Sequence, residues 1–135
     1  MTVDDTATWQ YVDGDGKNVA KVIVDWVSDS AAGSVSQLST KPVFGEILRI
    51  TTNPGATAPT DQYDVTILDE DSVDVALGTL ANRHTTNTET VYPTVAGSAT
   101  TPVSDVRMAV ASRITLTIAA AGNSKIGRVT IYLRR

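Results

Sequence analysis

The sequence predicts an all-β protein, an antiparallel sandwich or barrel of about eight strands, and three observations carry that expectation. Thr (20) and Val (17) outnumber Leu (7) among the 135 residues, and β-branched side chains lose rotamer freedom in helices while packing well on a pleated surface. Several segments alternate apolar and polar residues with a period of two, the mark of half-buried strands. Turn signals separate these segments, and the long helical crossovers that parallel strands need are missing.

In chain order, Trp9, Tyr11 and Val12 begin the first strand, which stops at DGDG (13–16), a Gly-Asp turn. Val22, Val24 and Trp26 share one face of the second, opposite Lys21, Ile23 and Asp25, and this register marks Trp26 as core. SDSAAGSVSQLSTKP (28–42) is a small, polar loop with one short apolar element at most. Ile47 to Thr51 resumes the strand pattern, and TTNPGATAPTD (51–61) ends it with an Asn-Pro-Gly turn.

Strands over Tyr63 to Leu68 and Val73 to Leu77 follow, then a polar loop at NRHTTNTET (82–90), a short strand over Val91 to Val95 and a further loop at AGSATTP (96–102). Val103, Val106, Arg107 and Val110 also fit helical spacing, so SDVRMAVAS (104–112) stays open between a short helix and a strand through Met108 and Val110, with the strand favoured. Ile114, Leu116 and Ile118 alternate with threonines, AAAGNSKIG (119–127) turns the chain, and Val129, Ile131 and Leu133 close it. Residues 1–8 read as a flexible polar arm and 9–135 as one domain.

The densest polar cluster is YDVTILDEDSVDVALG (63–78), with Asp64, Asp69, Glu70, Asp71 and Asp74 between alternating apolar residues. Residues opposite one another in a hairpin share a face, so Ile67 must meet an apolar partner rather than Asp74. A three-residue loop Glu70-Asp71-Ser72 satisfies this by pairing Asp69 with Val73, Ile67 with Val75 and Val65 with Leu77, with Leu68 and Asp74 on the outer face. An EF-type calcium loop needs alternating acids, then Gly, then a distal Glu. DEDSVDV lacks that order, and DGDGKN (13–18) places Lys17 where the next ligand after Asp13 and Asp15 would stand. Turn chemistry is the expected role of both, and no metal or cofactor is expected.

Charge is uneven. Residues 1–74 hold 13 acidic and 4 basic side chains, a net of −9, whereas residues 107–135 hold six basic side chains and no acid, within a total of −4. Solvated sheet edges account for such a distribution, and so does acidic-to-basic contact between neighbouring copies. Nucleic-acid binding is disfavoured, because the chain is acidic and its basic residues lack interleaved aromatics. With no cysteine, disulfides and thiol chemistry are excluded. The start MTVDDTATW is acidic where an export signal is basic and then apolar, and no apolar run approaches the roughly 20 residues of a membrane helix. A soluble protein made in a cytoplasm, without membrane or direct nucleic-acid partners, is expected.

Enzyme chemistry finds little footing. His84 is the only histidine and sits in a polar loop, a G-x-S-x-G elbow is missing, and no pattern selects a pair among Glu46, Glu70, Glu89 and the aspartates. Trp9, Trp26, Tyr11, Tyr63, Tyr92 and Tyr132 raise carbohydrate binding, although most are needed for the core.

The segments GEILRITTNPGATAPTDQYDVTILDEDSVDVALGTLANR (45–83) and SRITLTIAAAGNSKIGRVTIYLRR (112–135) resemble a family of small structural proteins of tailed bacteriophages. The distinctive parts are the TNPGATAPTDQYDVTILDED and AGNSKIGRVTIYL stretches. This chain has Ser72 where the family looks to use Gly in the turn, and Ile126 where it looks to use Thr after Lys. A serine in the left-handed position costs about 1 kcal/mol relative to glycine. The resemblance implies a virion protein, most like a capsid decoration or cement protein: a jelly-roll-like β-sandwich, dimeric or trimeric, bound to the outer surface of the major capsid protein. A neck, tail or fibre component is the alternative, and a carbohydrate-binding module the second. Asp69, Glu70, Asp71, Arg128, Arg134 and Arg135 are the expected interaction residues.

Overall fold

The computed structural model describes residues 4–13, 18–95 and 106–135; most of DGDG and all of the 96–102 loop fall outside them, as do residues 1–3 of the arm. Among the described residues the protein is all-β and has no helix. Eleven strands follow in order: β1 (Thr6–Asp13), β2 (Val19–Val27), β3 (Val35–Leu38), β4 (Val43–Pro54), β5 (Asp64–Leu68), β6 (Glu89–Val91), β7 (Thr94–Val95), β8 (Val106–Arg107), β9 (Ala109–Ser112), β10 (Thr115–Ala119) and β11 (Ile126–Arg134). All pairings are antiparallel. The larger sheet runs β1-β2-β11-β4-β6, with β9 on the same edge of β4 as β6, and it curls into a half-barrel. A second sheet runs β3-β10-β5, and β7 pairs with β8.

Pairing fixes which side chains meet inside. Across β2, β11 and β4, Ala20, Leu133 and Ile47 form one row, Val22, Ile131 and Ile50 the next, then Val24, Val129 and Thr52. Ile47 and Ile50 are three residues apart yet both fully buried, which strict alternation forbids. The register of β4 against β11 shifts between Tyr132 and Leu133, and this bulge rephases β4 so that both isoleucines point inward. From the smaller sheet Val35, Val65, Ile67, Leu116 and Ile118 join the same apolar cluster.

The next row sets Trp26 opposite Gly127. Trp26 is fully buried and leans on Tyr63, ring centroids 5.9 Å apart. A Cβ on Gly127 would lie 2.3 Å from Trp26 Cζ2, so only glycine leaves room for the indole.

Two expectations change, and one open choice is decided. β1 begins at Thr6, inside the segment read as an arm. Asp4 accepts hydrogen bonds from Ser30 N (2.7 Å) and Oγ (2.6 Å), and Asp5 accepts from Ser36 N (2.9 Å) and Gln37 Nε2 (2.8 Å). Of the segment open between helix and strand, residues 106–112 are described and form β8 and β9 on either side of Met108, in line with the favoured strand. Val73–Leu77 is not a strand. The expected register holds at its start, where Asp69 N donates to Val73 O (3.0 Å) and Val75 N to Ile67 O (2.9 Å). It fails at Val65, whose amide bonds Leu80 O (3.0 Å) instead of meeting Leu77. The cause is Asp74: its carboxylate collects the amides of Ile67 (3.3 Å), Ala76 (3.0 Å) and Gly78 (2.8 Å) and winds the chain into a turn rather than facing solvent.

Candidate interaction surface

At the hairpin tip, Asp69 Oδ1 accepts the amides of Asp71 (2.9 Å) and Val73 (3.0 Å), an Asx-turn arrangement. Ser72 takes φ of +61°, so the serine keeps the left-handed conformation that glycine adopts freely. Asp64 accepts from Asn82 N at 2.9 Å. Three of the five acids therefore hold backbone amides, and Glu70 and Asp71 project their carboxylates into solvent. Glu70 N donates to Ser112 Oγ at 3.2 Å, which seats the tip against β9. A groove of about 580 Å³ opens there, floored by Leu38, Pro42, Phe44 and Ala111, with Asp69, Glu70 and Arg113 on its rim. Arg113 Nε is spent on Ser39 O at 2.7 Å.

The basic residues separate into two groups. Arg128 sits opposite Asp25 and donates to it twice, Nε to Oδ1 at 2.7 Å and Nη2 to Oδ2 at 3.2 Å; Asp25 raises its pKa by hydrogen bonding and by charge. Arg135 pairs with Asp13 at 2.9 Å, and Arg107 with Glu46 at 3.9 Å. The lopsided charge of the sequence is thus partly neutralised within the fold, because strand pairing sets Arg128 of β11 beside Asp25 of β2 and brings Arg135 to Asp13 and Arg107 to Glu46. Arg134 has no ion pair among the described residues and joins Arg49, Arg107, Tyr92 and Tyr132 around a second recess of about 420 Å³. Arg49 stacks on the Tyr132 ring, 4.0 Å from its centroid, and Lys21 is the β2 partner of Tyr132.

Of the six expected interaction residues, Asp69, Glu70 and Asp71 come together at the tip, and Arg134 joins the aromatic recess. Arg128 stands six residues back along β11, roughly 20 Å away at the strand rise, and is engaged with Asp25. The sequence does not single out Leu38, Phe44, Arg49 or Lys21 as contact residues, and it marks Tyr92 only as a sugar-stacking candidate and Arg107 only as one of six basic residues. Read along the sequence, the basic residues also lack interleaved aromatics, whereas pairing β4 with β11 brings Arg49 onto Tyr132.

His84 is bound locally: its Nδ1 accepts the amides of Thr86 (3.0 Å) and Asn87 (2.9 Å), and its own amide donates to Glu89 Oε1 (2.6 Å). Asp29 is buried and has no ion pair among the described residues. The amides of Ala31 (2.6 Å) and Ala32 (3.0 Å) bond its Oδ1 and hold its carboxyl below the usual value. Both groups serve turns.

Comparison of the chain with protein-family models, with curated proteins and with solved structures finds no match.

Proposed function

We propose that the protein is a tailed-phage virion component of the capsid decoration type, which binds the outer surface of the major capsid protein lattice and braces the head. The observation that carries a binding role is the outer face of β4 and its neighbours, where Leu38, Phe44, Tyr92 and Val106 stand largely exposed beside charged side chains. Apolar area rimmed by polar residues is what a protein contact covers. The virion assignment rests on the resemblance of residues 45–83 and 112–135. A jelly-roll-like β-sandwich is the fold that accompanies this reading, supported by two antiparallel sheets that share one apolar cluster.

In this role the protein performs no chemistry. Each bound copy buries an interface available only on the assembled lattice, so binding favours the assembled head by mass action. Polar and charged rims set approach and register. The direct test adds purified protein to heads that lack it and follows co-sedimentation. Saturable binding at the periodicity of the capsid lattice, with heads that survive higher temperature, is the expected result. Binding confined to a single vertex or to tails would assign the chain to the neck or tail instead.

A further inference from the structure

The outer face of β4 is polarised along its length. Phe44, Glu46 and Arg49 point outward while Val43, Ile47 and Ile50 point inward. At the Phe44 end Asp69 and Glu70 line the groove together with Arg113, and Asp71 follows Glu70 at the same exposed tip. From the Glu46 level to the Arg49 level stand Lys21, Arg49, Arg107 and Arg134, with Glu46 as the acid beside them, paired with Arg107 and opposite Arg134 in the register. Phe44 and Arg49 are separated by about 15 Å of strand, more than the roughly 8–10 Å over which salt screens exposed charges, so the ends act as distinct poles. Large apolar side chains accompany both: Leu38 is 48% and Phe44 53% exposed at the acidic pole, Tyr92 64% and Val19 46% at the basic one.

A face with one acidic and one basic pole, each carrying exposed apolar groups, matches its own copy when rotated by a half turn. We infer that it is the contact of a two-fold symmetric dimer, in which the Glu70–Asp71 tip of each chain meets the Lys21–Arg134 pole of the other, with the axis near the Glu46–Arg107 pair. A two-fold contact uses both poles of both chains and closes, whereas a head-to-tail contact leaves one pole free at each end and extends or forms a ring. This goes beyond the capsid reading, because it requires only a second copy of the chain.

The test is sedimentation velocity of the full chain in free solution at low salt, on wild type, on E70K/D71K and on K21E/R134E. Lys21 and Arg134 have no ion-pair partner among the described residues. Wild type should be dimeric. Each reversal sets like charge against like at two symmetric places and should raise the dimer Kd at least about 100-fold. An equimolar mixture of the two variants should regain the dimer, since every reversed tip then faces a reversed pole, and this regain also shows that both variants are folded. Phe44→Ser, which keeps both poles, should weaken the dimer as well. A monomeric wild type, a dimer indifferent to both reversals, or a mixture that grows past the dimer overturns the inference. So does a monomer that uses the Tyr92 pole to hold a short oligonucleotide. Because no particle is present, these outcomes are independent of whether the chain binds heads.

Discussion

Arg128 and Asp25, 103 residues apart in sequence, face each other across β11 and β2 as a two-bond ion pair with Nε–Oδ1 of 2.7 Å. The pair shows where the segregated charge of the chain goes. A net of −9 over residues 1–74 and six basic residues with no acid over 107–135 look like two surfaces for partners, yet the last strand inserts beside the second and part of that charge is satisfied internally. Both side chains are half exposed, so a double-mutant cycle with Asp25→Asn and Arg128→Met should give a coupling of about 0.5–1 kcal/mol in urea unfolding. The coupling should shrink toward zero at 1 M salt.

Gly127 should tolerate no side chain. Gly127→Ala places a Cβ 2.3 Å from Trp26 Cζ2, and overpacking against a buried ring costs about 3 kcal/mol. Denaturant titration would measure it. In a Trp26→Phe background, where the six-membered ring of the indole is gone, the cost of Gly127→Ala should fall by at least about 1 kcal/mol, a coupling expected of residues in contact.

Ser72 should be improvable. Its φ of +61° is one that glycine adopts freely, so Ser72→Gly should stabilise by up to about 1 kcal/mol and raise the melting temperature. No change in melting temperature would mean that the serine is already accommodated without strain.

Acid should loosen the loop that β1 leans on. Hydrogen bonds to Ser30, its hydroxyl foremost, lower the pKa of Asp4, and the amides of Ala31 and Ala32 lower that of Asp29, both from an ordinary 3.8. A carboxyl whose folded pKa is depressed contributes stability that is fully present above its unfolded value and is lost as pH falls through the folded one. Stability should therefore be flat from neutral pH down to about 5 and decline below 3.8 as far as these groups are concerned. Asp29→Asn should lower stability at pH 7 and flatten the acid decline, as read by urea titration at several pH values.

The sequence disclosed local geometry better than extent. Trp26 as core and the Asp69–Val73 and Ile67–Val75 pairs follow from alternation and turn chemistry over a few residues, whereas the left-handed Ser72 does not, because glycine is the residue that conformation favours. The end of that hairpin did not, because Asp74 prefers three backbone amides to the outer face of a strand, a choice that depends on where Gly78 and Leu80 lie. β4 runs from Val43 to Pro54, well past the Ile47–Thr51 core of its pattern, because a bulge breaks the period that would have revealed its length. The acidic tip of the candidate surface is a local feature and was legible. Its basic pole is assembled from β2, β4, β8 and β11 and the residue after β6, so no stretch of sequence displays it.

Imaging of the virion tests the proposed capsid-surface role most directly. The expected result is density matching this fold, repeated at lattice positions over the outer surface of the head. Density only at the neck, tail or fibres, or no copy in the particle at all, would contradict it.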